Sequence, residues 1–237
     1  IRSPDKFVEW GEEGWGKNQN GFNLKLVGQK YKHNKDGNLL IMVAPYSTAR
    51  KMWDNLDIKS KLNEDWLRKL ISNLPKKILK KTVLRLHGSY KIHSFVYYEN
   101  LKKDFPEIKY DFYEKKLKKL YSESRIVVHC YDSSGILESM PFNIPTMCFW
   151  PDTFGHLEHD YKQYYELLVE AKILAKSPEQ LTSFIVSNWS NIDKWMDEPI
   201  LQQNVKKFLY KFSNFPPENA TKKLAQHLLN ITHQHYK

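Results

Sequence analysis

The sequence predicts an α/β fold, in which a Rossmann-like, mainly parallel sheet is followed by a helical C-terminal part. Short apolar runs alternate with helical patterns as far as Pro151, which is typical of parallel β-α-β units. Beyond Pro151 one amphipathic helical pattern follows another. The chain has 237 residues, of which 41% are hydrophobic, so it is long enough to bury a core.

Three parts follow from this pattern. Residues 1–37 carry glycines and few apolar runs, so we expect a loop-rich N-terminal segment. Residues 38–151 form the predicted α/β core, which is also the expected ligand-binding part. Residues 152–237 form the predicted helical part, which we expect to pack on the same domain.

Each predicted element rests on its own local pattern. Apolar runs predict buried strands at 39–44, 82–86, 108–112, 125–130 and 146–150. Apolar residues at helical spacing predict helices at 63–74, 117–121, 135–140, 161–171, 178–187, 200–212 and 221–231. Ser177 and Pro178 are typical of a helix start, with Ser as the N-cap and Pro at the first helical position.

The charge of the chain favours acidic partners. Thirty-seven Lys and Arg against 27 Asp and Glu give a net charge of +10. The lysine runs at 76–81 and 115–119 are interrupted by apolar residues, a pattern typical of the solvated sides of helices. We therefore expect no nucleic-acid partner, whereas peripheral contact with an anionic membrane stays open.

Cysteine usage and hydropathy predict the compartment. Cys130 and Cys148 both lie in apolar runs, which indicates inert thiols in the core of a reduced protein. No apolar stretch approaches the roughly 20 residues that cross a bilayer, and no signal-peptide pattern opens the chain. We expect a cytoplasmic protein, with the inner face of the membrane as a peripheral location.

The polar stretch after the predicted strand 125–130 is the first candidate site. Asp132, Ser133, Ser134 and Gly135, which we call the cradle, lie at the carboxyl end of that strand and open the next helix. Ligands of parallel sheets bind at such ends, and N–H groups of a helix start bind anions such as phosphate. Glu138 lies four residues after Ser134, on the same helical face, where it can accept hydrogen bonds from sugar hydroxyls. The alternative is that a serine only caps the helix and that Glu138 is solvated.

Arg85 and His87 form the second candidate site. Strand alternation places both on one side of the strand 82–86, near its carboxyl end. An arginine there suits a phosphate or a carboxylate, and His87 can act as a hydrogen-bond donor or a general acid. The alternative for Arg85 is an ion pair within the fold.

The sequence offers little for a metal ion. It contains no Asp-x-Asp pair, and the stretch from His156 to Asp160 fits no strong ligand signature, so we interpret that stretch as a loop or helix start. We therefore expect no metal and no cofactor. Trp189 and Trp195 are interpreted as helix-packing residues rather than a stacking platform.

The order of several motifs resembles a known family. A strand, then Asp-Ser-Ser-Gly-x-x-Glu, then Asn-x-Pro-Thr and an aromatic strand is similar to the donor-side half of GT-B-type transferases of bacterial surface polysaccharides. From Trp10 to Phe212 the chain also resembles a family of transferases first catalogued in leptospiral lipopolysaccharide loci. The motifs that carry this second resemblance are Gly14-Trp15-Gly16, Arg85-Leu86-His87, Ser124-Arg125, Leu137-Glu138, residues 143–150, residues 173–179 and residues 192–195.

The resemblance implies a donor-binding domain whose substrate is a nucleotide-activated sugar. By position, it implies that Ser133, Ser134 and Glu138 are donor contacts, with Arg85 and His87 as further site residues. The family often has threonines where Ser133 and Ser134 stand, which keeps the hydroxyls. Since GT-B enzymes bind substrates between two α/β domains, the resemblance also implies a missing N-terminal α/β domain and a glycan or lipid-linked acceptor.

Three functions stay open on the sequence. The first is a metal-independent glycosyltransferase domain for a surface polysaccharide or lipopolysaccharide, with His87 and Glu138 as catalytic candidates. The second is polyol-phosphate transfer of the teichoic-acid type on the same scaffold. The third is a noncatalytic basic module that binds polyanions in a salt-sensitive way.

Overall fold

The chain folds into two compact units. The structure is a computed structural model that describes residues 7–12, 18–43, 56–88, 95–151 and 154–235. The larger unit is the continuous segment Tyr31–Lys207, and the smaller unit combines Ile1–Lys30 with Phe208–Lys237.

Strands and helices alternate along the larger unit. Over the described ranges, the strands are β1 (Phe7–Glu9) and β2 (Asn18–Asn20) in the smaller unit, and β3 (Asn38–Met42), β4 (Thr82–Arg85), β5 (Lys109–Asp111), β6 (Ser124–His129), β7 (Thr146–Phe149) and β8 (Leu174–Ala175) in the larger unit. The α-helices within the described residues are α1 (Leu56–Ser72), α2 (Lys76–Leu79), α3 (Phe95–Asp104), α4 (Leu117–Ser122), α5 (Ile136–Ser139), α6 (His159–Glu170), α7 (Pro178–Asn188), α8 (Ile192–Met196), α9 (Pro199–Phe212) and α10 (Ala220–His235).

The larger unit is built on a parallel sheet, which has six strands in the described part of the chain. Their spatial order is β5-β4-β3-β6-β7-β8, and every neighbouring pair is parallel. The predicted α/β fold with a Rossmann-like parallel sheet is therefore confirmed.

Both faces of this sheet are buried, which explains the continuous apolar runs of its strands. On one face Leu40, Met42, Val83 and Val127 form a cluster with two residues of α4, Leu120 and Tyr121. On β7, the ring of Phe149 stacks on Trp66 of α1 with a centroid distance of 6.1 Å. Cys130 and Cys148 are free thiols inside this core, and burial raises the pKa of each, so the predicted inert thiols are confirmed as buried.

The predicted start of α7 and three smaller interpretations of the sequence agree with the structure. Ser177 caps α7 by accepting a hydrogen bond from the backbone N–H of Gln180 at 3.1 Å, and Pro178 is the first helical residue. Trp189 and Trp195 are both buried, as expected of packing residues. The stretch from His156 is a turn that leads into α6, as interpreted from the sequence.

The smaller unit joins segments from far apart in the chain. Strands β1 and β2 pair in parallel. The buried side chain of Asn23 donates a hydrogen bond to the hydroxyl of Ser213 at 2.9 Å. Lys211 forms an ion pair with Glu12 at 3.3 Å. The motif Gly14-Trp15-Gly16, which contributed to the resemblance, lies outside the described residues.

In the described part of the chain, no helix has both the length and the apolar character that crossing a bilayer requires.

Candidate functional site

The strand order reverses at one point, which marks a candidate ligand site at the carboxyl edge of the sheet. From β3 the chain proceeds to β4 and β5 on one side, and from β6 it proceeds to β7 and β8 on the other side. The order therefore reverses between β3 and β6, and ligands of open parallel sheets bind outside the carboxyl ends at such a point. The last residues of these two strands, Met42 and His129, are register partners, so both strands end at the same level.

The cradle follows β6 and lies at this reversal point. The structure brings Ser133, Ser134 and Gly135 together with Glu138 in one turn, because the N–H of Ile136 bonds to the carbonyl of Ser133 at 3.1 Å. The hydroxyl of Ser134 donates to the Glu138 carboxylate at 3.3 Å. Helix α5 has only four residues, so the predicted helix dipole is small and anion binding would depend on individual N–H and hydroxyl donors.

Asp132 is held by two side chains that sequence reasoning missed. Its carboxylate accepts a hydrogen bond from the hydroxyl of Tyr165 at 2.7 Å and contacts the Nε2 atom of His156 at 2.9 Å. The rings of Trp150, His156 and Tyr165 contact one another edge to face. Burial, followed by the charge of Asp132, raises the pKa of Tyr165, which therefore stays a protonated donor. Asp132 thus fixes the start of the cradle to α6.

His129 lies directly beneath the cradle. Its side chain is fully buried, and its Nδ1 atom is 3.3 Å from the hydroxyl oxygen of Ser133. Burial lowers the pKa of His129 to about 3, so the imidazole is neutral near pH 7. A Cβ atom at Gly135 would lie 2.7 Å from the Cε1 atom of His129, which explains why a glycine occupies this position.

Tyr121 supports the same turn from the core. Its hydroxyl donates to the carbonyl of Gly135 at 3.3 Å. Burial raises the pKa of Tyr121 well above its usual value, and the nearby charge of Glu138 raises it further. Burial also raises the pKa of Tyr31, and the charge of Glu138 raises it further.

Arg85 ends β4 in a buried ion pair. Its Nη1 atom donates to the Asp111 carboxylate at 2.8 Å and to the carbonyl of Lys115 at 2.9 Å. The guanidinium also lies over the ring of Tyr113, 4.1 Å from its centroid. This geometry corresponds to the alternative weighed for Arg85, an ion pair within the fold. A donor contact through Arg85 stays a prediction.

His87 follows β4 at the same edge of the sheet. It is partly buried, and its ring contacts the ring of Tyr113 edge to face at 5.0 Å. Because β3 lies between β4 and β6, the ends of β4 and β6 are about 10 Å apart. His87 and the cradle therefore lie at the same edge of the sheet, but the strands that precede them, β4 and β6, are not neighbours.

A separate groove lies in the smaller unit. It has a volume of about 630 Å³ and is lined by residues that include Phe22, Phe215 and Lys222. None of the predicted site residues lines this groove.

Comparison with known proteins identifies a family. The family model described as LIC12162 family transferase matches residues 1–228. No curated protein matches the chain by sequence.

Two solved structures are similar to parts of the chain. A protein named as a UDP-N-acetylglucosamine 2-epimerase from Listeria monocytogenes is 14% identical with a TM-score of 0.44, and the alignment covers 88% of this chain and 50% of that one. The S. aureus MnaA–UDP co-structure is 16% identical with a TM-score of 0.43, and the alignment covers 84% of this chain and 48% of that one. The chain thus spans about half the length of each of these two proteins.

Proposed function

The chain belongs to the LIC12162 family of transferases, and from this premise we propose that it binds the nucleotide-activated sugar donor of a glycosyltransferase-type reaction. The observation that carries the proposal is the position of the cradle, which lies at the point where the strand order reverses between β3 and β6. Parallel sheets bind nucleotides at this point because loops from both sides leave a crevice there.

The cradle residues divide into phosphate, sugar and anchoring roles in this proposal. The hydroxyl of Ser133 and the backbone N–H groups of the turn bind the donor diphosphate, and the hydroxyl of Ser134 joins them when its hydrogen moves from the Glu138 carboxylate to a phosphate oxygen. Glu138 accepts hydrogen bonds from sugar hydroxyls, and its contact with the Ser134 hydroxyl supports this role because it keeps the two side chains on one face of the turn. Asp132 serves as the anchor, since Tyr165 and His156 already engage its carboxylate.

Protein groups, rather than a metal ion, stabilise the leaving nucleotide in this proposal. The sequence lacks an Asp-x-Asp pair, and the net charge of +10 favours a diphosphate ligand. His87 is the further candidate for this role because it lies at the same edge of the sheet. The acceptor is a glycan or a lipid-linked glycan, and its site lies on a preceding α/β domain. We propose a bacterial surface polysaccharide or lipopolysaccharide as the product, assembled on the cytoplasmic side of the inner membrane.

Calorimetric titration tests this proposal. We expect the chain to bind at least one member of a panel of UDP, GDP, CDP and TDP with a dissociation constant of about 10 μM to 1 mM, equally with and without a chelator. Nucleotide binding that requires a divalent ion would contradict the proposed independence from a metal ion. Binding of DNA and heparin with no nucleotide preference, lost at high salt, would instead support the noncatalytic module.

A matched pair of variants tests the role of Glu138. With the corresponding nucleotide sugar as ligand, Glu138→Gln should weaken binding about tenfold, because an amide accepts hydrogen bonds from sugar hydroxyls less strongly than a carboxylate does. Glu107→Gln is the control, since Glu107 is exposed and precedes β5 at the opposite edge of the sheet. Equal affinity of the two variants would show that Glu138 does not contact the sugar.

A further inference from the structure

His129 is a buried polar side chain for which the proposed function has no use. It ends β6, its side chain is fully buried, and its Nδ1 atom lies 3.3 Å from the Ser133 hydroxyl oxygen. Its Nε2 atom is also buried and has no hydrogen-bond partner in the described part of the chain. A leucine or valine would fill this space without leaving a polar atom unmatched, so packing alone does not explain a histidine.

The surroundings of the ring select one tautomer. A hydrogen on Nε2 would be a buried donor without an acceptor, which costs more than a buried lone pair without a donor. We therefore assign the hydrogen to Nδ1, where the Ser133 hydroxyl oxygen accepts it. Gly135 keeps the turn close to the ring, since a Cβ there would lie 2.7 Å from His129 Cε1.

The hydrogen of the Ser133 hydroxyl is then directed away from the core. A serine oxygen has two acceptor lone pairs and one hydrogen. One lone pair accepts from His129, so the hydrogen of the hydroxyl cannot point at the His129 ring. What remains on Ser133 is its hydrogen and one lone pair, both of which point away from the buried ring.

We propose that His129 is a positioning residue, which donates to Ser133 and thereby orients the Ser133 hydroxyl to donate to a phosphate oxygen of a bound nucleoside diphosphate. This inference rests on the proposed function of the cradle. It makes Ser133 selective for acceptor groups such as phosphate, because the serine oxygen is already occupied on its core side.

Two variants of the whole chain separate positioning from packing. The amide of His129→Asn reaches the position of Nδ1 and can still donate to Ser133, whereas the amide of His129→Gln reaches the position of Nε2. With the tightest-binding diphosphate of the panel, and with inorganic pyrophosphate as a second probe, we expect the Asn variant to stay within about twofold of the wild type. The Gln variant should bind about tenfold more weakly. In a Ser133→Ala background, the Asn and Gln variants should bind alike.

A measurement on the unaltered protein makes the proposal independent of variant folding. Nitrogen NMR of histidine-labelled protein should show the hydrogen of the His129 ring on Nδ1. A hydrogen on Nε2, or equal weakening by Asn and Gln, would overturn the positioning role while nucleotide binding by the wild type stands. Absence of binding by the wild type to every diphosphate and to pyrophosphate would overturn the proposed function itself, and this inference with it.

Discussion

Arg85 shows how a buried charge is matched at the end of a strand. An uncompensated guanidinium in the core would be costly, and Asp111 supplies the opposite charge from the neighbouring strand because the two residues are register partners. The ring of Tyr113 and the carbonyl of Lys115 add further contacts, whereas the buried Nε atom of Arg85 has no hydrogen-bond partner among the described residues. Because these contacts join the carboxyl ends of β4 and β5, we expect Arg85 to stabilise the fold there.

We expect Arg85→Lys to lower the free energy of unfolding by about 1–3 kcal/mol, since an ammonium cannot reproduce the planar fork or the stacking on Tyr113. Urea denaturation measures this loss. Arg68→Lys is the control, because Arg68 pairs with Glu64 and Asp104 near the surface and should change stability by less than about 0.5 kcal/mol. Unchanged stability combined with weaker nucleotide binding would identify Arg85 as a ligand contact instead.

Gly135 holds its turn close to the buried ring of His129. We expect Gly135→Ala to lower the free energy of unfolding by about 1–3 kcal/mol, because the new methyl group would meet the buried ring of His129, which has little room to move. Nucleotide affinity should fall as well, since relief of the clash shifts the turn that carries Ser133. Thermal melts and calorimetry on the same variant measure its stability and its nucleotide affinity. A fully stable variant with wild-type affinity would contradict the close approach of Gly135 to the ring of His129.

At the scale of elements, the sequence predicts best what is locally encoded. For strands β3, β4, β6 and β7, both predicted ends lie within two residues of the observed ends, because burial on both faces leaves continuous apolar runs in the sequence. The long helix α1 begins at Leu56, earlier than predicted, since its first turns lack regular apolar spacing. Helix α3 was missed because of its described side chains only Leu101 is fully buried. Strand β8 was missed because two residues are too short for a pattern.

The candidate site also combines contacts that are local in sequence with contacts between distant elements. The cradle and Glu138 are contiguous in sequence, so their proximity follows from one strand and one turn. The partners Asp111 and Tyr165 come from other elements, and Tyr165 lies 33 residues beyond Asp132. Such pairs depend on the packing of β5 and α6, which no local pattern encodes. The orientation of His129 toward Ser133 belongs to the same class of unpredicted contacts.

The hydrogen bond from Tyr165 to Asp132, which joins α6 to the cradle, can be tested with a single substitution. Tyr165→Phe removes a charge-assisted hydrogen bond to Asp132, so we expect the free energy of unfolding to fall by about 1–2 kcal/mol and nucleotide affinity to drop severalfold. Tyr210→Phe should leave both within error, because Tyr210 is 58% exposed. If the two variants behave alike, α6 does not hold the start of the cradle.

For the whole molecule, the dependence of stability on pH follows from the neutral state of His129. The pKa of this residue is about 3 in the folded protein, against an ordinary value of 6.5. Above pH 6.5 the ring is neutral in both folded and unfolded chains, so its stabilising contribution is fully present. Between pH 6.5 and 3 only the unfolded chain binds the proton, and stability therefore falls as the pH falls, by at most about 1.4 kcal/mol per pH unit.

The His129→Asn variant isolates this contribution from the rest of the charge. Acidification protonates carboxylates and raises the net charge above +10 in both proteins alike, so those effects cancel in the difference between them. We expect the wild type to lose about 2 kcal/mol more stability than the variant between pH 7 and pH 5, as measured by urea denaturation at each pH. Parallel curves for the two proteins would mean that the His129 ring takes up its proton in the folded state at its ordinary pKa, and a buried neutral imidazole could then not orient Ser133.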